Sequence, residues 1–119
     1  MTNSKVKIYD LEERTFQFAK AVRLVVKDLS KTTANYEDSK QVIRSSGSIG
    51  ANYIEANESL SKKDFLHRMK ISRKEAKESV YWLRLIDETN HIQSEGIKKL
   101  LQEAEELKKI LSAIIEKSK

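Results

Sequence analysis

Arg44-Ser45-Ser46-Gly47-Ser48-Ile49-Gly50-Ala51-Asn52-Tyr53-Ile54-Glu55-Ala56 is the stretch whose reading decides the fold. Val42, Ile49, Tyr53, Ala56 and Leu60 fall on one narrow arc at about 100° per residue, so the segment reads as a helix. Its composition works against that state. A glycine in a helix interior costs about 1 kcal/mol relative to alanine, and serines add smaller penalties. Small residues in such a helix let a neighbouring helix approach closely, and the polar ones can hydrogen-bond across the contact. We therefore expect Gly47 and Gly50 to be packing glycines.

The rest of the chain supplies the neighbours. Asp10 and Glu13 have capping-box spacing, so the first helix is expected to start at Asp10 after about nine flexible residues. Leu11, Thr15, Phe18, Val22, Val25 and Leu29 then recur at steps of four and three, the seam of one helical face. Residues 30–35 break the pattern and read as a loop containing the next cap. The second helix is expected over 36–58. Ser61 and Asp64 repeat the capping-box spacing and open a third helix over about 62–90. Its seam is Phe65, Met69, Ser72, Ala76, Ser79, Leu83 and Ile86. After a turn at 91–93, Ser94 is the expected N-cap of a last helix carrying Ile97, Leu100, Leu101, Ala104, Leu107, Leu111, Ile114 and Ile115. Four helices with short connections imply antiparallel neighbours. The expected architecture is all-α, an antiparallel up-down-up-down four-helix bundle, with residues 1–119 as a single domain.

Composition agrees. There are 119 residues, no proline, three glycines and 34% charged residues, as in a mostly helical chain. The absence of cysteine excludes disulfides and thiolate metal sites and fits a reducing, cytoplasmic setting. No signal-peptide pattern and no long apolar run is present, so neither secretion nor a membrane partner is expected. The net charge of +5 inclines the protein modestly toward anionic partners.

Two polar series face each other in this scheme: Arg44, Ser48, Asn52 and Glu55 on the second helix, and Arg68, Ser72, Glu75 and Ser79 on the third. They can form a hydrogen-bonded network between helices or between subunits. Read as catalytic groups, Glu55 and Glu75 would be an acid/base pair, yet the sequence fixes no nucleophile, metal or substrate pocket beside them. We expect no enzyme, no cofactor and no small-molecule substrate. Ile71 and Trp82 add apolar surface on the flank of the third-helix seam. They read either as a subunit interface or as a broad core face.

On the outward side of the third helix, Lys63, His67, Lys70, Lys74, Lys77, Tyr81 and Arg84 align at steps of four and three. This stripe reads as a phosphate-tracking surface with an aromatic for base stacking, or as ordinary solvated lysine-rich surface. Ser46 to Gly50 lacks the Gly-Lys-Ser/Thr ending of a phosphate-binding loop, and the two histidines have no ligand spacing.

Gln41 to Ala56, Ser61-Lys62-Lys63-Asp64-Phe65, Ser72 to Leu83 and the pair Phe18-Ala19 together resemble the four-helix-bundle family named for the 23S rRNA intervening sequence. Gly47 and Lys77 depart from residues common there. The resemblance covers Leu11 to about Ile115 and implies an antiparallel four-helix bundle assembled as a homopentameric ring. The accessory proteins of diversity-generating retroelements are distantly similar, and these basic pentamers work with RNA and a reverse transcriptase. The functional expectation is a non-enzymatic scaffold binding RNA or a nucleoprotein, with a structural or protein-interaction module as the alternative.

Overall fold

The computed structural model describes the backbone of residues 3–91 and 94–119, and the side chains of 11–91 and 95–119. Four helices follow in order: α1 Asn3–Val26, α2 Thr33–Asn57, α3 Lys62–Thr89 and α4 Ser94–Ser118. No strand occurs among the described residues.

Local signals account for most boundaries. Thr32, in extended conformation, caps α2, and its hydroxyl accepts from the Asn35 N–H at 3.1 Å. Ser61 does the same for α3, accepting from the Asp64 N–H at 3.1 Å. The cap of α2 therefore lies inside the 30–35 segment as expected, but the helix begins at Thr33 rather than Tyr36. The start of α1 also differs from expectation. The helix is already formed at Asn3, so the Asp10 and Glu13 spacing falls within it instead of opening it. With no proline or glycine in the stretch, nothing in the sequence stops the helix from running back past Asp10. Ser94 is the first residue of α4, and its capping role lies outside the described side chains.

Contacts between facing residues fix the topology. Gly50 lies against Thr15, and Arg23 reaches Ile43. Ser45 meets Ser79 and Asn35 meets Asn90. Lys98 meets Asp87, and Arg14 meets Glu103. Between α1 and α2 and between α2 and α3 one number rises as the other falls. Arg14–Glu103 with Val25–Gly96 does the same for α1 and α4, which leaves α3 and α4 antiparallel as well. Each helix packs on its sequence neighbours, and α4 closes back on α1. This is the up-down-up-down four-helix bundle.

The core follows the predicted seams, with Phe65, Leu101 and Ile114 packed at its partly buried margin and with shifts at Val25 and Leu60. Phe18, Val22, Val42, Ile49, Met69, Ala76, Leu83, Ile86, Ile97, Leu107 and Leu111 are buried together. On α1 the seam continues from Val22 to Val26, leaving Val25 half-buried against Gly96. Leu60, expected on the core arc of α2, is 99% exposed. The helix has ended at Asn57, so the wheel that placed Leu60 inward no longer applies to it.

Candidate nucleic-acid interface

The α2–α3 contact builds the base on which the outer face of α3 stands. Gly50 does not serve this contact. It faces α1, where an added Cβ would stand 2.8 Å from Thr15 Oγ1. The serines serve α3 instead. Ser45 and Ser79 hydroxyls meet at 2.8 Å in a fully buried position, and the Ser72 hydroxyl donates to the Ile49 carbonyl at 2.7 Å. Small side chains there let the helices close, and each buried polar atom finds a partner.

The expected polar network forms between α2 and α3 of the one chain. Arg44 Nη2 lies 3.0 Å from Glu75 Oε1 and 2.8 Å from Glu78 Oε1. Glu75 is buried and Arg44 half-exposed, so the guanidinium bridges a buried carboxylate and a surface one. The Glu75 hydrogen bond, reinforced by the charge of both carboxylates, holds the Arg44 pKa above its ordinary value. Asn52 donates to the Ser48 carbonyl and hydroxyl at 2.9 and 3.0 Å, and Arg68 donates to Asn52 Oδ1 at 3.3 Å. Glu55 is exposed and takes no part in an ion pair among the described residues. The structure does not bring Glu55 and Glu75 together as a carboxylate pair: Glu75 is engaged by Arg44. Ile71 is half-buried, and Trp82 is partly buried and packs against the core of its own subunit.

Lys63, His67, Lys70, Lys74, Lys77, Tyr81 and Arg84 are all exposed on α3. At a rise of about 1.5 Å per residue the stripe extends about 32 Å. Arg84 pairs loosely with Glu88 at 3.5 Å. Lys63, Lys70, Lys74 and Lys77 have no ion pair among the described residues. Glu78, on the neighbouring track, is drawn to Arg44, which it shares with Glu75. The face is left with a row of ammonium groups that have no carboxylate within ion-pair distance among the described residues.

Several features escape sequence reading. Arg14 grips Glu103 through two nitrogens at 2.7 and 2.8 Å and reaches Glu106 at 2.8 Å, tying α1 to α4. Asn35 and Asn90 exchange reciprocal amide hydrogen bonds at 2.8 Å, clamping the start of α2 to the end of α3. No periodicity signals either pair, because each joins polar residues from different helices. Phe16, Leu24 and Ile54 are 60%, 50% and 42% exposed, around a groove of about 700 Å³ between α1 and α2. Among the described residues there is no cluster of side chains fit to hold a metal ion, and no helix is long and apolar enough to cross a membrane.

Fold and surface define a class: antiparallel four-helix bundles with one cationic helix face. The chain belongs to the 23S rRNA-intervening sequence protein family, whose model matches residues 7–113. Among solved structures it is similar to a protein of unknown function from the S23 ribosomal protein family of Bacteroides thetaiotaomicron. The two are 34% identical, with a TM-score of 0.79 over 88% of this chain and 97% of that one. A comparison with curated proteins finds no match.

Proposed function

We propose that this protein is a non-enzymatic, oligomeric scaffold that binds RNA, free or within a nucleoprotein, through the outward face of α3. One observation carries the reading. Four exposed lysines stand in a row on one helix face with no carboxylate within ion-pair distance among the described residues, unlike the paired Arg14, Arg44 and Lys98; other unpaired cations exist, but these four are aligned. Cations already matched by carboxylates have little to gain from phosphate, and unmatched ones release counterions when they bind it. The family's name, tied to ribosomal RNA, supports the same partner class.

The test is binding to a structured RNA over a salt series, with Lys70→Glu/Lys74→Glu/Lys77→Glu alongside. Four phosphate contacts give a log–log salt slope on the order of −3, and the variant, which removes three of them, should lose most of it. Weak binding that the variant leaves unchanged would make the stripe ordinary solvated surface.

Assembly is favoured by a second observation, the apolar groove between α1 and α2. Exposed apolar patches of this kind mark interaction sites. The groove is acidic at Glu12 and Glu13 and basic at Lys20 and Arg23, so a different, charge-complementary face of a second copy can seat on it, the head-to-tail contact that a ring requires. The α3 flank of Ile71 and Trp82 is the competing face. Light scattering gives the number of copies, five being the count that the family resemblance implies. A mass lowered by Phe16→Asp/Leu24→Asp places the contact on α1. A mass lowered by Trp82→Ala places it on the α3 flank.

A further inference from the structure

We propose that Tyr81 seats an unpaired nucleobase, so that the α3 face takes single-stranded segments of RNA in preference to duplex. The proposal rests on the RNA reading above and adds the form of RNA that is recognised.

Tyr81 is 57% exposed, yet its ring is not loose. It meets Trp82 in a T-shaped contact, with centroids 5.1 Å apart and planes at 84°. Trp82 in turn packs against the core, so the tyrosine ring leans on a fixed neighbour. A ring already held loses less freedom when a base stacks on it. Beside it Arg84, Leu85 and Glu88 open a recess of about 250 Å³. Leu85 gives the recess an apolar wall, Arg84 a cation that also stacks on bases, and Glu88 a hydrogen-bond acceptor for an amino or imino edge. One and two turns back, Lys77 and Lys74 stand on the same stripe, with successive Cβ atoms about 5–6 Å apart.

Cations in a row with an aromatic at one end are the parts of a single-strand platform, in which phosphates track the charges and a base stacks on the ring. An A-form duplex keeps its base faces stacked inside and offers the protein phosphates, hydroxyls and minor-groove base edges, but no free base face. Duplex can therefore use the lysines but not Tyr81. Charge and a ring face recognise every base alike, so tolerance of sequence is expected.

The experiment compares a short single-stranded RNA with a blunt-ended, fully paired duplex of equal phosphate count, at one salt concentration, by fluorescence anisotropy. The proteins are wild type, Tyr81→Ala and Tyr81→Phe. Trp82 is the only tryptophan of the chain and reports directly on changes at its neighbour. The expected result is that Tyr81→Ala weakens single-strand binding roughly 5- to 150-fold, the range for loss of one stacked base. It leaves duplex affinity within about twofold, Tyr81→Phe retains wild-type behaviour, and single strand changes Trp82 emission more than duplex does. Equal losses for both RNAs, or no loss for the single strand, would overturn the proposal while leaving the RNA reading standing. If neither RNA binds the wild type in a salt-dependent way, both readings fall.

Discussion

Gly50 and Thr15 stand so close that a methyl group on the glycine would lie 2.8 Å from the threonine Oγ1 and 3.3 Å from its Cβ. Thr15 is itself fully buried, and its hydroxyl donates to the Glu12 carbonyl at 2.9 Å. The α1–α2 separation is thus set where a side chain is missing on one helix and a short, stiff one sits on the other.

Gly50→Ala should therefore destabilise the protein by about 1–3 kcal/mol, because overpacking outweighs the helix-propensity gain of about 1 kcal/mol. Gly47 provides the contrast. Its added Cβ would meet only the Arg23 Nη2 end at 3.2 Å, which can move aside. Gly47→Ala should be neutral or stabilising by up to about 1 kcal/mol. Urea denaturation of the two variants checks the difference, and Thr15→Ala should partly rescue Gly50→Ala. Equal effects at both glycines would remove the close-approach explanation.

The buried Ser45–Ser79 contact predicts non-additivity. Ser79→Ala leaves the Ser45 hydroxyl with only the Val42 carbonyl at 3.5 Å, a geometry too long to satisfy it. The expected loss is about 1–3 kcal/mol. The double variant Ser45→Ala/Ser79→Ala should be destabilised by less than the sum of the single changes, since no polar group is then stranded. A thermal or urea double-mutant cycle reads this coupling; simple additivity would argue against a direct bond.

Arg44 and Glu75 predict a different pattern. Arg44→Ala should cost about 1–3 kcal/mol, since it leaves a buried carboxylate without its donor. Glu78→Gln should cost under about 1 kcal/mol, since that carboxylate is solvated. The pH dependence follows from the raised pKa of Arg44. A cation held above its ordinary value contributes stability that is complete below the unfolded value and is lost as pH rises through the folded one. For an arginine both lie far above the physiological range, so this contribution should stay constant from pH 7 to 10. A decline of the Arg44→Ala effect within that window, followed by urea unfolding at several pH values, would contradict the assignment.

Much of the architecture was legible because it rests on local or periodic signals. The seam of α3, from Met69 through Leu83 to Ile86, is buried as its steps of four and three predict. Ser61 caps α3 through the hydroxyl that its spacing to Asp64 suggested. Leu60 and Asp10 mark the limits. A helical wheel does not know where its helix stops, and a capping-box spacing also occurs inside helices. The candidate site was legible to a similar degree. The alignment of Lys63, Lys70, Lys74 and Lys77 is a property of spacing alone. That Glu78 turns to Arg44 rather than to a lysine of this row is a property of packing.

By itself the sequence determined the number of helices, their amphipathic faces, the small-residue character of α2 and the basic stripe of α3. All of these depend on which residues lie three or four positions apart. The tertiary structure decided what meets what. It set Gly50 on Thr15 rather than on α3, joined Arg14 to Glu103 and Asn35 to Asn90, and rested Tyr81 against a Trp82 anchored in the core. Helix periodicity specifies a face but not its neighbour. Which groups touch depends on the axial register and rotation of whole helices, which the close-packed interior of all four fixes together.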